Sequence, residues 1–244
     1  METLIHSFDF KVGHLDIDFT EQITFSALGN CILEAAGIAA HSNGFGMEEL
    51  HEEHLGWVVS RMAIEMDVLP MKNDHFRIET WVENYGRFYT TRDFRFYNAE
   101  NVCIGGVCSL WSVINLDTRV PFNLEQKPEW SRFATQIPSP ITKPEHIPEI
   151  SKEKIMHGCV SYSDIDSNGH VNSMKYIQWL LNLFDQDFYS THRITRLEIN
   201  YVHEALYGDK IVIFSSEDDK RILFNIKDEK GEIYCKMAVT CCQI

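Results

Sequence analysis

Five of the seven prolines, Pro128, Pro138, Pro140, Pro144 and Pro148, fall between Lys127 and Ile150. Proline locks φ and lacks an amide proton, so this stretch is expected to be an extended linker and not a helix or a central strand. It separates residues 1–127 from residues 151–244, with 128–150 as the connection. The two flanking segments repeat one order of elements. In the first, Leu28, Ile32, Ala35, Ala36 and Ala39 mark a helix over residues 28–42. Residues 61–68 then alternate, with Met62, Ile64, Met66 and Val68 on one face of a half-buried strand. Residues 75–82, 89–97 and 102–115 read as further strands, with residues 98–101 as a turn. In the second segment Val171, Met174, Ile177, Leu180, Leu181 and Phe184 form an apolar helix face. Residues 196–201 alternate, with Leu197, Ile199 and Tyr201 inward, and strands at 210–215, 221–227 and 233–242 follow. Arg61 corresponds to Arg196 and Asp74 to Asp209, both at an offset of 135 residues. A helix followed by antiparallel strands, twice, is an α+β chain with internal duplication.

The formal charge of −14 disfavours nucleic acid and anionic membranes, because both attract proteins through Lys and Arg. No apolar run is long enough to span a bilayer, and the first residues carry no basic-then-apolar leader. A cytoplasmic location is therefore expected. Seven cysteines without a CxxC pair read as reduced packing thiols. His51 and His54 bracket two glutamates at i and i+3. Zinc hydrolases use i and i+4 with a third ligand, so these are read as a solvated helix face. No cofactor or metal is expected.

The densest polar cluster is Ser163-Asp164-Ile165-Asp166-Ser167-Asn168-Gly169-His170-Val171-Asn172, directly ahead of the second helix. One side-chain oxygen suffices to cap a helix. Here Asp166, Asn168, His170 and Asn172 place a carboxylate, two amides and an imidazole at every second position. Free amides at a helix start also suit a developing oxyanion. The bland alternative is a helix entry built from turn-forming residues.

Residues 163–179, S-D-I-D-S-N-G-H-V-N-S-M-K-Y-I-Q-W, closely resemble the signature D-x-N-x-H-V-N…K-Y-I-x-W of the plant and bacterial acyl-acyl-carrier-protein thioesterases. Gly44-Phe-Gly46, residues 57–62, residues 78–81 and Arg92-Asp-Phe94 stand in the family's order. The resemblance covers roughly residues 9–239. It implies a tandem (double) hotdog, two long helices each wrapped by an antiparallel sheet. The activity implied is hydrolysis of fatty acyl thioesters of acyl carrier protein. The first hotdog would form much of the acyl pocket and the second would carry catalysis. The resemblance further implies Asp166, Asn168 and His170 as catalytic residues, with Glu204 as an acid on the following strand.

Where many members have a cysteine this chain has Ala205, which has no nucleophilic atom. Direct attack by water is the expected scheme, with Glu204 as base and His170 sharing the proton or polarising the water. In that scheme Asn168 positions the water or the carbonyl, and Asp166 orients Asn168 and His170. Backbone N–H groups near Val171 would hold the oxyanion. Strand parity would put Glu204 with Arg196, Glu198 and Asn200 on an outer face, where its bland reading is a surface carboxylate. Trp57, Trp81, Phe88 and Trp111 are candidates to line a pocket. The partner implied is an acyl-loaded carrier protein, with the chain a monomer or a homodimer. Competing readings are an acyl-coenzyme A thioesterase, a hotdog dehydratase and a non-catalytic acyl-binding protein.

Overall fold

A computed structural model describes residues 4–150, 153–218 and 220–244. In chain order the first half runs β1 (His6–Lys11), α1 (Phe25–Ser42), α2 (Met47–Glu52), β2 (Leu55–Met66), β3 (His75–Tyr85), β4 (Thr90–Asn98) and β5 (Cys103–Asn115). The second half runs β6 (Glu153–Cys159), α3 (Ser173–Leu181), α4 (Gln186–Thr191), β7 (His192–Tyr201), β8 (Lys210–Asp218), β9 (Arg221–Asp228) and β10 (Ile233–Gln243). The strand order is β1-β3-β4-β5-β2 in the first half and β6-β8-β9-β10-β7 in the second. All these pairs are antiparallel. The duplication read from the sequence is therefore a duplication of topology. It includes an opening strand in each half, β1 and β6, that was not read from the sequence.

Helix α1 buries the residues expected of it, with Leu28, Ile32, Ala35 and Ala39 fully enclosed. The second helix is shorter than expected. It ends at Leu181, and Phe184 lies in a turn, stacked on Phe188 at 4.2 Å. The cause is local: Asp185 accepts the Phe188 amide at 2.8 Å and starts α4. A carboxylate that caps a new helix competes with continuing the old one. Strand β2 begins at Leu55, six residues ahead of the alternation, and Val68 lies outside it and exposed.

The chain forms one compact unit of residues 4–24 with Leu28–Pro144 and a second of Phe25–Ala27 with Glu145–Ile244. The proline-rich stretch is extended after a short 3-10 helix at Pro128–Phe133. It lies on protein instead of running free. In the first unit the Thr135 amide donates to Val82 O at 2.8 Å, and the Trp81 indole donates to Ile137 O at 2.9 Å. A Cβ on Gly106 would meet the Pro140 ring at 2.7 Å, so the close approach of this strap needs glycine there. Trp81 thus ties the strap to the sheet. In the second unit the Glu145 amide donates to Glu198 Oε2 (2.8 Å), the Ile147 amide to Asn200 Oδ1 (3.0 Å) and the Ile150 amide to Asn225 Oδ1 (2.9 Å). Side chains here take the place of a neighbouring strand and satisfy the strap's backbone. Glu198 and Asn200, expected on an outer face, are buried by it.

The two straps cover different chemistry at one lattice point. Asp93 lies opposite Cys108 and Trp81, and Leu223 opposite Ala238 and Ser216. Both sit five residues before their hairpin turns at Asn98 and Asp228. Leu223 packs with Ala238 and Ile147 in an apolar plug. Asp93 is fully buried. Ser139, the Cys108 thiol, Glu83 and Lys143 are its polar neighbours. Burial raises its pKa from 3.8 to about 6. The fold therefore favours the neutral acid. This contribution is intact below pH ~4 and is lost as pH rises through ~6, costing on the order of 3 kcal/mol by pH 8. Urea unfolding at pH 4 to 8 should show that slope in the parent chain and not in Asp93→Asn. Equal slopes in both would mean that the carboxyl does not titrate under the strap.

Candidate active site

Every residue expected to act lies on two connections of the second unit, the one leading into α3 and the one leaving β7. The first is a hairpin closed by the Ile165–Val171 bridge. Within it the Asp166 amide donates to His170 O (2.9 Å), the Gly169 amide to Asp166 O (3.1 Å) and the Asn168 amide to Asp166 Oδ1 (2.8 Å). Gly169 sits at φ +81°, a conformation that glycine adopts without a Cβ penalty. The Asn172 side chain then caps α3 through the Met174 amide at 2.8 Å.

The second connection begins where β7 ends, at Tyr201, so Glu204 is a loop residue and strand parity does not apply to it. Its backbone is nonetheless fixed. The Val202 and His203 amides both donate to Tyr234 O, at 2.9 and 3.1 Å. The Leu206 amide donates to Asp209 Oδ2 (2.8 Å), which also accepts the Tyr234 hydroxyl (2.8 Å). The Ala205 peptide is held at both ends. Its N–H donates to the Tyr176 hydroxyl at 3.1 Å, and its carbonyl accepts the Val171 amide at 2.9 Å.

These contacts bring Glu204 Oε2 to 3.4 Å from His170 Nε2, with both side chains partly open to solvent at 40 % and 27 %. An acid and an imidazole at that distance can share a proton, and solvent can reach them. Asn168 is exposed at the tip of the same turn. Asp166 acts visibly as an acceptor for its own turn. Val171 corrects the expected oxyanion site: its amide is already committed to Ala205 O, so it has no proton to offer a substrate. The amide of Ser173, first in α3, has no acceptor within the helix. Among the described residues no group of three or more His, Cys, Asp or Glu side chains could hold a metal ion.

The first unit contains the same backbone cradle without the chemistry. The Asp18 amide donates to Gln22 O (3.1 Å), the Glu21 amide to Asp18 O (3.1 Å) and the Thr20 amide to Asp18 Oδ1 (2.8 Å). The Ile23 amide donates to Pro70 O (2.9 Å), and the Met71 amide to Asp74 Oδ2 (2.9 Å). Asp18 corresponds to Asp166, Thr20 to Asn168, Gln22 to His170, Leu69 to Glu204 and Pro70 to Ala205. The turn made by Asp166 is thus a property of the scaffold, whereas His170 and Glu204 are specific to the second copy. The shared D-I-D at residues 16–18 and 164–166 was the sequence signal for this correspondence.

A sequence model of the acyl-ACP thioesterase N-terminal domain matches residues 3–127, and that of the C-terminal domain matches residues 148–241. The structure resembles that of an acyl-ACP thioesterase from Bacteroides thetaiotaomicron with a TM-score of 0.90, at 35 % identity over 98 % of both chains. It also shares the fold of the 12:0-ACP thioesterase from Umbellularia californica, with a TM-score of 0.85 at 19 % identity over 100 % of this chain and 99 % of that one. The chloroplastic oleoyl-acyl carrier protein thioesterase of Coriandrum sativum is 28 % identical over 86 % of this chain, which spans 62 % of that relative's length. The architecture is accordingly a double hotdog, and the chain belongs to the acyl-ACP thioesterase family.

Proposed function

We propose that this chain hydrolyses the thioester between a fatty acyl group and acyl carrier protein, releasing a carboxylic acid and the carrier's thiol. The observation that carries the reading is the 3.4 Å approach of His170 Nε2 to Glu204 Oε2 on a cradle whose twin in the first unit lacks both groups. Family membership supplies the reaction class, and relatives such as the Coriandrum sativum protein are named for acyl carrier protein substrates.

In this reading Glu204 takes a proton from water as the oxygen attacks the thioester carbon. His170 shares that proton and returns it to the leaving sulfur. Asn168 places the water or the carbonyl, and Asp166 keeps Asn168 and His170 in register through its turn. Ala205 excludes a covalent acyl intermediate at that position. Residues 151–244 carry this chemistry, residues 1–127 form the acyl-pocket half, and residues 128–150 connect them. The absence of His170 and Glu204 counterparts in the first cradle supports that division. Most of the binding energy for the acyl tail is apolar, at about 0.8 kcal/mol per buried methylene.

Glu204→Gln and His170→Ala should each lower kcat by about 10²–10⁴-fold, followed as free thiol released from acyl-carrier-protein substrates of varied chain length. Acyl-coenzyme A substrates run beside them identify the donor, and loss of water without thiol release would indicate a dehydratase. Folded variants with undiminished turnover would remove these two residues from the mechanism. Asp166→Asn keeps the oxygen that accepts the Asn168 amide and should keep most activity, whereas Asp166→Ala should not. Loss in both would assign the negative charge itself a role. Alkylation of the exposed Cys103 and Cys159 should leave turnover nearly intact, and inactivation would revive a thiol mechanism.

A further inference from the structure

We propose that Tyr176 is a positioning residue for Glu204: its hydroxyl, through the Ala205 amide, holds the acid against His170. The proposal rests on the reading of Glu204 and His170 as the reacting pair. Tyr176 is 3 % exposed and Ala205 fully buried, so the Ala205 N–H has no access to water and depends on the tyrosine oxygen at 3.1 Å. The ring is fixed by edge contacts with Trp179 (5.2 Å) and Tyr201 (6.0 Å). Tyr201 in turn donates its hydroxyl to Ser173 O at 2.9 Å. Helix α3 and the end of β7 are thereby cross-tied by two tyrosines, and the peptide between these ties belongs to the residue next to Glu204. Burial raises the Tyr176 pKa, so the hydroxyl remains a neutral acceptor across the working pH range.

The first unit separates this tie from the requirements of the fold. There the corresponding residues are Leu28 and Pro70, and proline has no N–H to satisfy. The cradle closes with the same Ile23-to-Pro70 and Met71-to-Asp74 hydrogen bonds and needs no hydroxyl. The tyrosine and the amide it serves occur together in the copy that holds the acid and the imidazole. In the other copy all four are absent.

Tyr176→Phe keeps the ring and deletes the acceptor. The expected result is a fall in kcat of about 10–100-fold with KM nearly unchanged and a displaced pH–kcat profile, since a small misplacement of a reacting group costs that much. Tyr189→Phe, which loses a hydroxyl bonded to Leu181 O at 2.7 Å at the end of α3, serves as the control and should lose stability alone. Should Tyr176→Phe not fold, Tyr176→Leu with Ala205→Pro copies the first unit's pair and leaves no amide unsatisfied, with Ala205→Pro alone as the reference for the restriction that proline places on Glu204. The double variant should fold and show the same loss of kcat. A folded variant of either kind with parental kcat and pH profile overturns the proposal. Glu204→Gln is measured in parallel. Full turnover there overturns the reading of the site and the proposal with it. Turnover lost in Glu204→Gln but kept in Tyr176→Phe overturns the proposal alone.

Discussion

A chain that leaves a strand must find partners for the backbone groups that the strand had satisfied, and the connection from β7 to β8 meets this requirement almost residue by residue. Val202 and His203 share one carbonyl, Ala205 is tied through both its N–H and its C=O, and Leu206 is held by Asp209. An acid on an unsatisfied loop would sample many positions, and each ordered residue costs about 1–2 kcal/mol of backbone entropy. Most of that cost is met by contacts that the scaffold makes whether or not an acid is present, as the first unit shows with Leu69 in the same place; the Ala205 N–H bond to Tyr176 is made in the second unit alone. The 3.4 Å distance between Glu204 and His170 follows from these ties, because the two residues sit on segments that Val171 and Ala205 bond together.

The straps impose a second constraint. An antiparallel sheet with one face on a helix ordinarily offers its other face to water, which produces clean alternation. In both units part of that other face is covered by proline-rich chain. Proline suits a strap because each one removes a donor that the sheet would otherwise have to satisfy. The remaining amides find side-chain acceptors on Glu198, Asn200 and Asn225, residues whose polarity would otherwise suggest exposure. The contrast between Asp93 and Leu223 shows that a strap closes over either polar or apolar groups. It also shows that the first unit tolerates a buried carboxyl that burial pushes toward neutrality.

Most of the fold was legible because its signals are periodic. The spacing of Leu28, Ile32, Ala35 and Ala39 placed α1, alternation placed β7, and the strand-like runs that follow each alternating segment placed β3, β4, β5 and β8 to β10 within a few residues. Strands β1 and β6, of six and seven residues, were not read from the sequence, although Phe8 and Phe10 alternate with polar residues in β1. The polarity of the site segment pointed to Asp166, Asn168 and His170, since turn-forming residues with an imidazole exceed what a cap requires. Glu204 could not be reached by periodicity. It lies past the end of β7, and its residue neighbours Glu198 and Asn200 misstate which face is open, because the strap covers them. Resemblance located it, and the hydrogen bonds of the loop explain why it stands where it does. The Val171 amide was assigned to an oxyanion for want of the one fact that sequence withholds, namely that Ala205 O already occupies it.

Comparing the two cradles separates what a duplicated fold must keep from what it is free to change. Both copies keep the aspartate that forms the turn, the aspartate that closes the following loop, and the amide-to-carbonyl bond that joins the segments. They differ at positions whose side chains the backbone does not need. Proline at position 70 also confines Leu69 to extended backbone, because the residue before proline is kept out of the helical region. Ala205 lifts that restriction from Glu204, and the tyrosine hydroxyl replaces covalent rigidity with a hydrogen bond. A hydrogen bond restrains the peptide less firmly than a ring but leaves the neighbouring residue its own φ and ψ. An acid that must face an imidazole on another segment needs both.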